Sequence, residues 1–205
     1  MKRLNCAVAV LAASTTFAQA GGPVVVAVEP TPVVSAQVAL YDWSGPYVGI
    51  GYGRTSGDLS YNPGFAYNLN NGSAGSIFAG YLVQNGSLVY GGELAYSRGN
   101  DTYAEGYPLE NVDQMIDLKG RLGYAANNAL FYGVLGYSSI KYKEVLGGYR
   151  TNGINYGLGV DYAVSNRVTI GIEYLVRNTD GSSQNLGQTA NLDVNTVTLR
   201  LGYSF

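Results

Sequence analysis

From about residue 45 onward, apolar and polar positions alternate with a period of two, and the alternation stops wherever Gly, Asn, Ser and Asp cluster. Eight segments emerge: Tyr47 to Thr55, Ala74 to Gln84, Ser87 to Ser97, Val112 to Ala125, Ala129 to Tyr142, Gly153 to Val164, Arg167 to Arg177 and Asn191 to Phe205. All are long enough for the ~9 to 11 residues that a tilted strand needs to cross a bilayer. In the last of them Val197, Leu199, Leu201, Tyr203 and Phe205 share one face, while Thr196, Thr198, Arg200 and Gly202 share the other. In the seventh, Val168, Ile170, Ile172, Tyr174 and Val176 oppose Thr169, Gly171, Glu173 and Arg177; in the sixth, Ile154, Tyr156, Leu158, Val160 and Tyr162 oppose Asn155, Gly157, Gly159 and Asp161.

The connectors alternate in length. Asn85-Gly86, Ala126-Asn127-Asn128 and Ser165-Asn166 read as tight turns, because Asn and Gly tolerate the positive φ that short hairpins require. Between them lie longer polar stretches, 56–73, 98–111, 143–152 and 178–190, which read as loops. Even strand number, short turns on one side and long loops on the other predict an all-β fold: an eight-stranded antiparallel up-and-down transmembrane β-barrel over residues 45–205.

Alternation alone also fits a soluble sandwich with its apolar face inside. The N-terminus tips the balance towards the membrane. Lys2 and Arg3 precede an apolar run from Leu4 to Ala13, and Ala18-Gln19-Ala20 follows, so residues 1–20 read as a secretory signal peptide cleaved after Ala20, with Ala18 and Ala20 as the small recognition residues. After residue 20 no apolar run approaches the ~18 to 20 residues of a membrane helix. Residues 21–44, interrupted by Pro23, Pro30 and Pro32, read as an extended periplasmic lead-in; Val33 to Leu40 alternatively reads as an extra edge strand. The 19 Tyr residues suit a wall that crosses two membrane interfaces, since the ring can lie in the apolar zone with its hydroxyl in water.

Composition narrows the chemistry. His is absent and the single Cys, Cys6, falls in the leader, so imidazole catalysis, Cys/His zinc sites and disulfide frameworks are excluded together. Without Lys2 and Arg3 the chain carries 10 basic and 14 acidic side chains, a net charge of −4, which argues against a nucleic-acid partner. Gly49-Ile50-Gly51-Tyr52-Gly53 lacks the spacing and the following helix of a nucleotide cradle, and Asn68, Asn70 and Asn71 lack the carboxylate pattern of a calcium loop. No cofactor or metal is expected. If the apolar faces meet lipid, Glu93, Asp113, Asp117, Lys119, Arg121, Asp161, Glu173 and Arg200 point into the lumen; the phase of the fifth segment is less regular, and Lys141 is assigned to the same set. An eight-stranded barrel is just wide enough for side chains to fill it, so these charges are expected to form an internal salt-bridge network.

Trp43-Ser44-Gly45-Pro46-Tyr47-Val48-Gly49, Gly120-Arg121-Leu122-Gly123-Tyr124 and the terminal Leu201-Gly202-Tyr203-Ser204-Phe205 resemble the small outer-membrane β-barrels of proteobacteria, a family that includes opacity-type surface proteins and OmpA-like eight-stranded barrels. The resemblance spans about Trp43 to Phe205, and no part of the chain resembles a peptidoglycan-binding domain. It implies that Leu199, Leu201, Tyr203 and Phe205 are the signal read by the outer-membrane assembly machinery. The even strand number and unequal connectors place both termini in the periplasm and the long loops outside, and a monomer in outer-membrane lipid that meets an extracellular ligand through those loops is expected. The barrel enzymes that act on lipid or peptide resemble one another in needing a His, so no enzymatic activity is expected. The expected function is structural and surface-interactive with a closed lumen; the alternative is a narrow porin for small solutes or ions.

Overall fold

The computed structural model describes residues 41–205, apart from 63, 65, 101–102, 105–106, 145–146 and 183–188. The expected signal peptide with Ala18 and Ala20, and the expected lead-in as far as residue 40 with its alternative strand at 33–40, lie outside the described residues. Nine strands are present among the described residues: β1 (Gly45–Asn62), β2 (Ala66–Asn85), β3 (Leu88–Asn100), β4 (Tyr103–Ala104), β5 (Tyr107–Ala126), β6 (Ala129–Glu144), β7 (Gly147–Ala163), β8 (Val168–Ser182) and β9 (Thr189–Ser204). β4 is a two-residue addition that pairs with β2 and β5 at one rim. The other eight pair antiparallel with both neighbours, and β1 pairs with β9 from Tyr47 opposite Ser204 to Asn62 opposite Thr189. The sheet therefore closes on itself as an eight-stranded barrel and leaves no long edge.

The period-two pattern sorts the side chains as a membrane wall requires. Leu135, Leu158 and Leu199 point outward and are about two-thirds exposed, whereas Glu93, Lys119 and Asp117 are buried inside. Outward tyrosines form two belts. Tyr81, Tyr90, Tyr124, Tyr162 and Tyr203 sit towards the end carrying the tight turns and the C-terminus, and Tyr52, Tyr96, Tyr137, Tyr156 and Tyr174 towards the other, with Leu, Ile and Val between them. Two aromatic girdles around an apolar band mark the two interfaces of a bilayer.

Three local features differ from the reading of the sequence. The first tight turn is centred one residue later, on Gly86-Ser87, because Asn85 pairs with Leu88 and the positive φ of 62° falls on Gly86. The turn between β7 and β8 spans 164–167 rather than two residues, with the Val164 and Ser165 amides both donating to the Val168 carbonyl. The middle turn is one residue shorter than read, Asn127-Asn128, because Ala126 ends β5 opposite Ala129, with Asn127 at φ 54°.

The larger difference concerns the long connectors. Most of 56–73, 98–111, 143–152 and 178–190 is strand, so at that end the wall continues as tall hairpins. At ~3.3 Å per residue and a tilt near ~40°, a 20-residue strand such as β2 rises about twice the ~25 Å of an apolar band. The reason is a second interior cluster: Leu59, Leu69, Val112, Ile140, Tyr142, Leu192 and Val194 all turn inward and are almost fully buried. Their alternation was hidden by polar outward neighbours.

Candidate functional site

The lumen is filled in three layers. At the turn end Trp43, Leu82, Val89, Ala125, Leu130 and Ala163 pack together, and Tyr41 meets the Trp43 ring edge-on at 4.7 Å. The segment leading into β1 is clasped there by Gln84, whose side-chain oxygen accepts from the Trp43 backbone amide (2.8 Å) and whose own backbone amide donates to Ser44 Oγ (3.1 Å). At the other end lies the apolar cluster around Leu59 and Leu192. Between them sits the charged layer.

Four cations, Lys119, Arg121, Arg177 and Arg200, face four carboxylates, Glu93, Asp117, Asp161 and Glu173, and all eight are buried. Glu93 on β3 is the hub. Arg200 reaches its two oxygens at 2.5 and 3.1 Å, Lys119 lies at 2.8 Å and Arg121 at 3.1 Å, and Tyr47 donates its hydroxyl at 2.7 Å. Glu173 receives Lys119 (2.6 Å), Arg200 (3.2 Å) and the Tyr132 hydroxyl (3.2 Å). Asp161 accepts from Arg121 at 2.6 Å. Arg121 lies over the Tyr132 ring and Arg200 over the Phe78 ring, each at 3.8 Å, so the faces of the guanidinium groups are covered by π-systems while their edges bind carboxylates. A second group stands beside it: Arg177 forks onto Asp117 at 2.7 and 2.8 Å, Ser138 donates to Asp117 at 2.6 Å, Asn155 donates to Ser138 at 2.8 Å, and Arg177 donates to Thr196 at 2.7 Å.

Glycine makes room for these groups. Gly159 lies between Tyr132 on β6 and Glu173 on β8, and a Cβ there would collide with the Tyr132 ring. Gly171 lies between Asp161 on β7 and Arg200 on β9, and a Cβ would strike the Asp161 carboxylate. A hollow lined by the charged layer holds about 20 Å³, room for roughly one water, between Asp117, Lys119, Glu173, Arg177 and Arg200.

Seven of the nine candidate lumen residues meet in this layer. Two do not. Lys141 lies on the outward face of β6, because its neighbours Ile140 and Tyr142 are the buried ones; Ser138-Ser139 carries no polarity contrast, which obscured the phase. Asp113 sits at a β-bulge between Val112 and Gln114, which takes it out of the inward register; its carboxylate turns to the exposed cations Lys143 (3.2 Å) and Arg98 (3.9 Å). Contributors outside that set include Arg177, Tyr47 and Tyr132. Arg177 shares the polar phase of its segment with Glu173, so strict phase counting would have included it. Tyr47 and Tyr132 were passed over because an inward Tyr looks like an outward one in composition, although Tyr47 is in phase with Gly49 and Gly51.

The C-terminal residues Leu199, Leu201, Tyr203 and Phe205 all project outward, Phe205 meeting Tyr203 edge-on at 5.4 Å.

A closed eight-stranded barrel with an apolar exterior, paired aromatic girdles and a polar filled interior defines a transmembrane barrel of the bacterial outer membrane. Residues 7–205 match the family described as outer membrane protein beta-barrel domain, and the chain belongs to that family. It is similar to a 22 kDa outer membrane protein of Rhizobium leguminosarum bv. viciae, 30% identical over 174 residues that cover 80% of this chain and 78% of that protein. It is also similar to a 31 kDa outer-membrane immunogenic protein of Brucella melitensis, 28% identical over 221 residues, covering 88% and 91% of the two chains. Among solved structures, Neisserial surface protein A shares the fold with a TM-score of 0.51 at 15% identity, covering 79% of this chain and 98% of that one.

Proposed function

We propose that this protein is a non-conducting, non-enzymatic structural and surface-interaction barrel, with its tall hairpins outside the cell as the recognition surface and both termini in the periplasm. The observation that carries this reading is the filling of the lumen: four buried cations neutralise four buried carboxylates between two apolar layers. A conducting pore needs a continuous polar path, whereas Leu59, Leu192 and Val194 occupy one end and Leu130 and Val89 the other. The name of the Brucella relative, an immunogenic outer-membrane protein, accords with hairpins exposed at a cell surface. The C-terminal aromatic pattern, through the family resemblance, supports delivery by the assembly machinery, and the self-contained core supports a monomer.

Single-channel recording of refolded protein in planar bilayers tests the reading. The expected trace is flat. A steady, reproducible conductance step would replace it with the narrow-porin alternative.

A further inference from the structure

Overall the chain is acidic, yet four of its six exposed or half-buried outward cations among the described residues, Arg98, Lys141, Lys143 and Arg150, stand on one flank, with Arg54 on β1 and Arg167 in the turn before β8 apart from them. Arg98 on β3 pairs with Gln114 on β5, Gln114 with Lys141 on β6, and Lys141 with Arg150 on β7, so these four form one continuous outward row across four adjacent strands. Lys143 stands two residues beyond Lys141 on the same face and is half exposed; Arg98 is two-thirds exposed. The rows on the membrane side of it run Tyr96, Ile116, Ser139, Asn152 and then Leu94, Leu118, Tyr137, Ile154. The cations therefore stand directly on the apolar band at β3 and one polar row above it at β6 and β7. Around the wall, on β8, β9 and β1, carboxylates outnumber cations on the outward face: Asp180, Asp193 and Asp58, the last two opposite each other, against Arg54.

The row is under-neutralised. Asp113 pairs with Arg98 and Lys143, but among the described residues no carboxylate lies within ion-pair distance of Lys141 or Arg150. Like charges placed directly opposite on neighbouring strands repel, so Lys141 beside Arg150 is an arrangement that an external anion would relieve. Beside Arg98 the wall is open: Gly75 is its partner on β2, and nothing lies within 4 Å of where a Cβ would be. Two residues below Arg98, an apolar hollow of about 340 Å³ opens on the outer wall between Val48, Ile77, Ala79, Leu94 and Tyr96.

We propose that Arg98, Lys141, Lys143 and Arg150 bind the phosphorylated head of a lipid in the surrounding leaflet, with one acyl chain lying in the hollow beside Tyr96. A cation row at the edge of an apolar wall complements an amphiphile with an anionic head, and basic clusters at that depth recognise such heads. The acidic flank of a second copy could meet the charges but offers nothing to the hollow. The membrane setting rests on the outer-membrane reading above; the binding chemistry does not depend on which end faces outward.

The test is native mass spectrometry of refolded protein in detergent, titrated with diphosphorylated lipid A and with the same lipid dephosphorylated. Wild type should retain the phosphorylated lipid in preference. Arg98→Gln/Lys141→Gln/Arg150→Gln should lower its apparent affinity about tenfold, as expected for three exposed charge contacts. Lys141→Gln alone supports no interior contact and should lower it about threefold by the same reasoning, which keeps the test decisive if the triple variant does not fold. Asp58→Asn/Asp180→Asn/Asp193→Asn should leave it undiminished. Equal retention of the dephosphorylated lipid, unchanged affinity in both cation variants, displacement of the lipid by excess inorganic phosphate, or dimer peaks in place of lipid adducts would each overturn the assignment. Conductance in planar bilayers bears on the closed-lumen reading alone, so the two can fail separately.

Discussion

Arg200 and Glu93 are 107 residues apart and sit on strands that are not neighbours, β9 and β3, yet the guanidinium grips both carboxylate oxygens at 2.5 and 3.1 Å across the lumen. β1 and β2 stand between them in the wall. The pair therefore ties opposite arcs of the barrel together instead of reinforcing one hairpin. Arg200→Ala leaves Glu93 and Glu173 each short of a buried positive partner, a loss that reaches about 3 to 5 kcal/mol where water cannot compensate. The melting temperature of the folded form in detergent should drop by several degrees, read from the heat-induced mobility shift on gels, and planar-bilayer recordings of the variant should show no large pore. A melting temperature equal to wild type would mean that the charged layer contributes nothing to stability.

Asp117 and Arg177 offer a cleaner pairwise measurement, because their forked contact is compact and each has only small polar partners besides. A double-mutant cycle with Asp117→Asn and Arg177→Gln should give a coupling energy of about 1 to 3 kcal/mol. The same cycle on Asp113→Asn and Lys143→Gln should give under about 1 kcal/mol, since Lys143 is half exposed and solvent screens the pair. Equal couplings in the two cycles would contradict the division between interior and rim.

Much of this architecture was legible because a membrane barrel writes its two faces into successive residues. The phase of β7, β8 and β9 could be read directly, as Leu158, Ile172 and Leu199 alternate with Gly159, Glu173 and Arg200. The phase was lost where the contrast between faces vanished, at Ser138-Ser139, and where a bulge shifted Asp113 by one position. The height of the wall was illegible for a different reason. Beyond the bilayer the outward residues become polar, so Leu59 and Leu192 looked like isolated apolar residues in loops, although they alternate as strictly as those below. Which carboxylate met which cation depends on pairing across the lumen, and no local pattern encodes that.

Interior glycines should be less replaceable than outward ones. Gly171→Val drives a branched side chain into the space of the Asp161 carboxylate and should abolish the folded, fast-migrating band on unheated gels. Gly75→Val enters open space on the outer wall and should leave that band intact. The same band from both variants would show that the lumen yields more readily than its packing indicates.

The orientation follows from two unique thiols, since the sequence holds a single Cys, Cys6, within the expected signal peptide. Asn128 lies in a tight turn and Asp180 near the tip of a tall hairpin, and both are exposed. On intact cells a membrane-impermeant maleimide should label Asp180→Cys and spare Asn128→Cys, while both react after lysis. The reverse pattern would place the termini outside.

Phe205 separates recognition from stability. Its ring is almost three-quarters exposed, it touches Tyr203 edge-on, and its amide donates one hydrogen bond to the Pro46 carbonyl at 3.2 Å across the closing seam. Losing one such bond costs about 1 kcal/mol, so deleting Phe205 should shift the melting temperature of refolded protein by only a few degrees. In cells, where the resemblance implies that the assembly machinery reads the terminal aromatic together with Tyr203, Leu201 and Leu199, the deletion should strongly reduce the amount reaching the outer membrane. Phe205→Tyr keeps an aromatic ring and should restore insertion, whereas Phe205→Asp should not. Parallel loss of refolding yield and of cellular insertion would make Phe205 a structural residue of the seam, and undiminished insertion of the deleted form would remove its role as a signal.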